Sequence, residues 1–340
     1  MPNQRDIARV LGINQATVSL ALRGDLSISA PMRRRVHETA ERLGYRQNAY
    51  VAMLMSRIRA GRKLSEQGVI ALIVDARSEQ DWYRIRSYRI YHLGLIRRAA
   101  ELGFNIESFF LRAPGVNART LDRILKARGI RGIILAPPYR ANRTVALDWD
   151  RYSCVGCGHA REPRLFDRVA NDHAQNVVIA FKELSAMGYR RIGLSLPGEI
   201  SGVPELKWMS GYLESQNRLP QKQRIPLFTG DSPHPTLAEF RAWYRKWRPD
   251  VLLSLTGHER SWLDAMRLRI PGDIGLACLV RQPGASVAGV DEKNEIIGAS
   301  AVEWVASHIV RNEYGVPIHP KLILIEGTWM NGETVAHVRA

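Results

Sequence analysis

Apolar residues recur at helical offsets through the first 43 positions and then give way to apolar runs of strand length. Ile7, Ala8 and Leu11 form one face of a short helix. Asn3 is placed to cap it, Asp6 lies in its acidic first turn, and Gly12 suits the left-handed stop at its end. Asn14 is placed to cap a second helix, with Val18, Ala21 and Leu22 facing inward and Gln15, Ala16 and Ser19 facing outward. A third helix is expected from about Ala30 to Leu43. Ser29 is its cap, Pro31 lies in its first turn, Val36, Ala40 and Leu43 form its inner stripe, and Gly44 ends it.

From Gln67 onward the pattern alternates between strand and helix. GVIALIV (68–74) is short and continuously apolar, as suits a strand buried on both faces. A helix at about 86–102, strand NIESFF, a helix near 117–128 and strand RGIILA (131–136) follow. The second half repeats the alternation: strand RIGLSL (191–196), helix 205–217, strand PLF (226–228), helix 236–247, and strands DVLLSL (250–255) and IGLACL (274–279). Such alternation implies parallel sheets with helices on both faces.

Two short helices around a tight turn, with polar side chains at the start of the second, are the pattern of a helix-turn-helix, which lays its second helix in the major groove of DNA. Thr17 would then lie near the phosphates, and Arg23 further along the helix. Charge strengthens this reading. The chain has 49 Lys+Arg against 33 Asp+Glu, a net charge of +16, and residues 1–63 hold 12 basic and 4 acidic side chains. A localised basic excess is the footprint of phosphate contacts.

Other chemistry is sparse. No segment has 18 uncharged apolar residues and no apolar stretch opens the chain, so neither a membrane span nor a secretory leader is expected, and the location expected is cytoplasmic. Cys154, Cys157 and Cys278 are few and odd in number, as in a reduced compartment. The Cys154–Cys157–His159 run offers three ligands where a structural zinc site wants four, so packing outweighs metal or redox chemistry there. There is no nucleophile–base constellation, glycine-rich phosphate loop or metal set. Asp75 and the Asp172–His173 pair are isolated and read as strand-end or capping groups. No enzyme and no cofactor are expected.

The segment DIARVLGINQATVSLALRG, followed by SAPMRRRVHETAERLGYRQNAYVAMLM, resembles the headpiece and hinge of the lactose-repressor (LacI/GalR) family through Asp6–Ala8, Ala16–Ser19 and Leu43–Asn48. RVANDHAQNVVIAFKELSAMGYRRIGLSL (168–196), IPGDIGLACL, GASAVEWV (298–305) and EGTWMNGETV extend the resemblance over nearly all of the chain. The resemblance implies a helix-turn-helix headpiece (1–46), a hinge helix and linker (47–63), and a periplasmic-binding-protein-like α/β body. The body would have two Rossmann-like parallel-sheet subdomains, 64–166 with 292–322 and 167–291 with 323–340, joined by crossovers near 164–168, 289–293 and 321–325. In such proteins Asn48 opens the hinge helix and a leucine, here Leu54, wedges into the minor groove. The bland reading of Val51, Met53, Leu54 and Met55 is an interface with the body.

The implied function is a DNA-binding transcriptional regulator, a repressor that binds a palindromic operator as a homodimer and answers to a small, sugar-like effector between the subdomains. Several family positions depart here. Leu20 stands where an arginine often reads guanine, Ala49 where an arginine often follows the asparagine, and Trp208 where an arginine clamps ligand. Cys278–Arg281 replace a segment that ends in an acidic pair. Candidate effector contacts are Trp82, Arg140, Asn171, Asp172, Trp208 and Asn294. Trp208 is either cleft lining or core, and Asp172 either a ligand contact or a helix cap. Two alternatives stay open: a DNA-binding repressor without a small-molecule effector, and a solute sensor with weak DNA binding.

Overall fold

A computed structural model describes residues 4–22, 27–43, 68–137, 147–159, 165–196, 203–230, 235–255 and 257–338. The chain divides into two compact units, Met1–Glu66 and Gln67–Ala340.

The first unit holds helices α1 (Gln4–Leu11), α2 (Gln15–Leu22) and α3 (Ala30–Arg42). Their core is small: Ile7, Ala8, Val18, Ala21, Val36 and Ala40 are buried, with Leu11, Leu22 and Leu43 packed against them. These are the stripes read from the helical offsets. The turn between α1 and α2 is closed by the Ile13 amide donating to the Ala8 carbonyl at 3.0 Å, with Gly12 at φ +65°. Only glycine takes that conformation without a Cβ penalty.

In the second unit, both faces of β1 (Gly68–Val74) are covered. Ile70, Leu72 and Val74 face one apolar cluster, Ala71 and Ile73 the other. Helices α4 (Glu79–Trp82) and α5 (Arg86–Glu101), strand β2 (Phe104–Phe110), helix α6 (Ala118–Ala127) and strands β3 (Gly132–Leu135), β4 (Ser153–Cys157) and β5 (Asp167–Asn171) follow. The chain then passes into α7 (His173–Ala186), β6 (Ile192–Ser195), α8 (Val203–Asn217), α9 (Leu237–Trp247), β7 (Val251–Ser254), α10 (Arg260–Ala265), β8 (Gly275–Cys278) and β9 (Ala288–Asp291). It returns through α11 (Asn294–Arg311) and ends in β10 (Leu322–Ile325) and β11 (Thr328–Met330).

These strands form two sheets, ordered β10-β5-β4-β3-β1-β2 and β11-β9-β8-β7-β6. Helices α5 and α11 cover one face of the first sheet and α6 the other; α7 and α8 cover one face of the second, α9 and α10 the other. Three details depart from the sequence reading. β5 and β10 both add to the first sheet, so the chain changes sheets at 172, 292–293 and 326–327 rather than near 164–168 and 321–325 for the outer two. β11 runs antiparallel to β9. Only Glu326 and Gly327 separate β10 from β11. Residues 226–228 contribute one bridge, Ser195 with Phe228, because Pro226 has no amide to donate and Gly230 turns the chain at φ +70°.

Candidate nucleic-acid interface and effector site

Helix α2 is held at its start by Asn14. Its Oδ1 accepts the Thr17 amide at 2.7 Å and the Thr17 hydroxyl at 2.8 Å. The cap satisfies a helix-terminal N–H that has no partner within the helix. It also engages the Thr17 hydroxyl, so this group serves the cap. Gln15 and Ala16 are exposed at the first turn, while Ser19 and Leu20 are half-buried. The Gln15 amide oxygen accepts Arg5 Nε at 3.3 Å, which holds side chains of two different helices side by side. Arg34, Arg35 and His37 are exposed on α3. Arg23, Asn48 and Leu54 lie outside the described residues.

In the second unit four of the six candidate effector residues, Asn171, Asp172, Trp208 and Asn294, gather where the chain changes sheets. Asn171 ends β5 and is 2 % exposed. Its Oδ1 accepts the Tyr91 hydroxyl at 2.5 Å, and its Nδ2 donates to Asn294 Oδ1 at 2.8 Å and to the Glu292 carbonyl at 3.2 Å. Its own carbonyl lies 2.8 Å from His159 Nε2. Burial, with the His173 ring adding to it, lowers the His159 pKa to about 4, so this ring is neutral near pH 7 and donates from Nε2. Burial also pushes the Tyr91 phenol well above its usual range, keeping it a donor.

Around this hub, Asp172 caps α7 by accepting the Gln175 amide at 3.0 Å. His173, the next residue, lies with Nδ1 2.9 Å from Glu292 Oε1, both side chains buried. Its ring packs on Trp208 at 4.2 Å between centroids and on His159 at 5.1 Å. Asn176 accepts the Gly327 amide at 2.7 Å. Asn171 and Asn176 therefore flank the first change of sheet and hold the other two.

Of the six effector candidates, Asn171, Asp172, Asn294 and Trp208 are brought together, and the polar three spend their side chains on internal hydrogen bonds. Trp208 is 7 % exposed and belongs to the core of the second sheet. Trp82 is buried against Tyr83, Tyr88 and His92 in the core of the first. Arg140 lies outside the described residues. Tyr91, His159, Asn176 and Glu292 were not among the candidates. Only His159 carried a signal in the sequence, beside the two cysteines; the others are recognisable only from their partners.

The remaining polar motifs resolve into structure. Asp75 takes a two-pronged pair from Arg112, at 2.7 and 2.9 Å. The Arg281 guanidinium, near the position of the missing acidic pair, donates to the carbonyls of Val287, Gln282 and Ala285. Cys154 and Cys157 face opposite sides of the first sheet, as positions three apart on a strand must, and burial raises both thiol pKa values, that of Cys157 to about 12.

Residues 4–48 match the family model for bacterial regulatory proteins of the lacI family. The chain is a DNA-binding transcriptional regulator with a lacI-family headpiece. The matched family is one of regulatory proteins, not enzymes. No curated protein is significantly similar in sequence. Among solved structures, the transcriptional regulator CelR in complex with cellobiose is 19% identical, covers 98% of this chain and 100% of its own, and superposes with a TM-score of 0.58. The lac repressor dimer bound to operator and the anti-inducer ONPF is 15% identical, covers 98% of this chain and 99% of its own, with a TM-score of 0.58. A LacI transcriptional regulator from a Rhodococcus species is 13% identical, covers 79% of this chain and 99% of its own, with a TM-score of 0.57. At these identities the likeness establishes a shared fold. Among the described residues of the regulator, no helix is long and apolar enough to cross a membrane.

Proposed function

We propose that the regulator represses transcription from the cytoplasm by binding a palindromic operator as a homodimer, with α2 in the major groove. The observation that carries this is the Asn14-capped α2, which presents exposed Gln15 and Ala16 over a packed three-helix core. One headpiece reaches few bases, and a two-fold pair of half-sites supplies the remaining specificity. Gln15 suits adenine through its amide, and Ala16 suits a thymine methyl group. Leu54, on a hinge helix that Asn48 would open, is proposed to add a minor-groove wedge, which takes specificity from how easily a base step unstacks. On a fluorescent fragment of the DNA upstream of its own gene, Gln15→Ala is expected to weaken specific binding by about 5- to 150-fold, from roughly 1–3 kcal/mol of lost discrimination. Binding to random duplex should stay within about twofold. Equal losses on both DNAs would remove Gln15 from base reading.

In this reading a small, sugar-like effector binds between the two sheets, shifts the equilibrium between their arrangements, and so changes DNA affinity. CelR, described with cellobiose, is a structural neighbour that supports a sugar-like ligand. A second reading, control without a small molecule, is favoured by a specific observation: Asn171, Asp172 and Asn294 are already spent on internal bonds, and Trp208 is packed on His173. A thermal-shift panel of sugars and sugar acids separates the two. A ligand present at 100 times its dissociation constant adds about 2.7 kcal/mol to stability and raises the unfolding midpoint. A flat response over the whole panel would leave the second reading standing.

A further inference from the structure

The second sheet carries a concentration of positive charge at the N-terminal ends of its strands, opposite the ends that face the effector site. Arg190 and Arg191 precede β6, Lys222 lies in the short turn at 221–223, and Arg245, Lys246 and Arg248 end α9 and its cap. Hydrogen bonds tie these segments into one surface. The Arg191 guanidinium donates to the carbonyls of Arg248 (3.0 Å), Lys222 (2.8 Å) and Trp247. The Arg190 and Arg191 amides both donate to Asp250, at 2.8 and 3.0 Å. Lys246 Nζ lies 5.2 Å from the centre of the half-buried Trp247 ring. Arg190, Lys222, Arg245, Lys246 and Arg248 are exposed.

Cations belong at a helix C-terminus, but that pole is worth only about half a negative charge. Asp250 supplies one more, and its oxygens are taken up by two backbone amides. Arg190 meets a second such pole, donating to the Ser185 carbonyl at the end of α7 at 3.0 Å. Six cations therefore face roughly two negative charges, and none of the six is paired with a carboxylate side chain among the described residues. Such crowding costs stability unless an outside anion shares the surface. Arg191 cannot swing away, because its three carbonyl partners fix it. The surface thus holds an array of charges several residues wide, anchored at Arg191, which matches a ladder of phosphates better than one small anion.

We propose that this face is a second, sequence-independent site for the phosphate backbone of duplex DNA, separate from the headpiece. Duplex DNA is favoured over an acidic protein because three of the five exposed cations, Arg190, Arg245 and Arg248, are arginines, the side chain suited to phosphate oxygens, and because the regulator already works on DNA; Arg191 spends its guanidinium on three carbonyls and adds only its charge. Each phosphate neutralised contributes about 0.9 to the slope of log affinity against log salt.

The test uses the full chain and a 30-base-pair duplex of random sequence. Salt titrations would compare the unaltered chain with R190Q/K222Q/K246Q and with R119Q/R123Q/R267Q, which removes three exposed cations elsewhere on the same unit. Both triple variants change exposed side chains, of which Arg190 also donates to the Ser185 and Tyr189 carbonyls and Lys246 lies over the Trp247 ring, so unfolding midpoints are checked first. The slope is expected to fall by about 2–3 in the first variant and by less than about 1 in the second. Equal slopes in the two variants would reduce the effect to net charge and overturn the site. No change in either would overturn it as well. Polyglutamate binding that is lost in the first variant, while its duplex binding is kept, would reassign the face to an acidic protein partner.

Discussion

Asn171→Leu is expected to destabilise the body by about 3–6 kcal/mol while leaving the three-helix headpiece folded. The substitution keeps the side-chain volume roughly constant but strands the Tyr91 hydroxyl, the Asn294 amide oxygen and the Glu292 carbonyl without their present partner. Each polar group buried without a hydrogen bond costs about 1–3 kcal/mol. For a unit of this size that is a fall of roughly 5–10 °C in the unfolding midpoint. Tyr91→Phe in the Asn171→Leu background should return part of the loss, since it deletes one stranded donor. The two changes should therefore combine to less than the sum of their separate effects. Calorimetry of the four proteins checks this. A loss under about 1 kcal/mol, or strict additivity, would mean that Asn171 does not hold the points where the chain changes sheets. The same variant bears on regulation, because those points are where the two lobes of the body must pivot if a ligand is to move them.

The second large effect is expected from Gly298→Ala. Helices α5 and α11 pass backbone to backbone: a Cβ on Gly298 would lie 2.1 Å from the Tyr91 carbonyl oxygen, and one on Gly94 would lie 2.0 Å from that of Glu295. The obstacle in both cases is main chain, so a rotamer change cannot relieve it and the helices must separate. Alanine gains up to about 1 kcal/mol of helix propensity over glycine. Overpacking a tight core costs typically 1–3 kcal/mol and occasionally more, and a clash with fixed backbone belongs at the upper end. A net loss of about 2–3 kcal/mol follows, where Ser300→Ala on the same helix should change little. An unchanged or raised midpoint would show that α5 can slide away at no cost. Because α11 begins at Asn294, the displacement should also reach the Asn171 hub, so operator affinity is a second readout.

The headpiece was readable because its determinants are local. The Asn14 cap acts within three residues, the left-handed Gly12 within one turn, and the inner stripe repeats at helical spacing, so a short window holds all the information. Most strands and helices of the body were readable for the same reason, since a run such as GVIALIV that is apolar throughout has to be covered on both faces. The effector region was not. Asn171 lies 80 residues from Tyr91 and 123 from Asn294, and nothing in its neighbours along the chain distinguishes a hub from a ligand contact. Trp208 read equally well as a stacking platform or as core, and its packing on His173 within the second core was decided by which helices meet there.

By itself the sequence determined the class of protein, its helix-turn-helix and the alternation that builds two α/β sheets, because caps, turns and periodic apolar faces are written in adjacent residues. Tertiary structure decided where the chain changes sheets, which polar side chains are used up in holding those points, and that scattered cations at 190–191, 222 and 245–248 form one surface. Those outcomes depend on strands pairing across more than a hundred residues, and a hydrogen bond or a shared field between distant groups exists only once the backbone has brought them together.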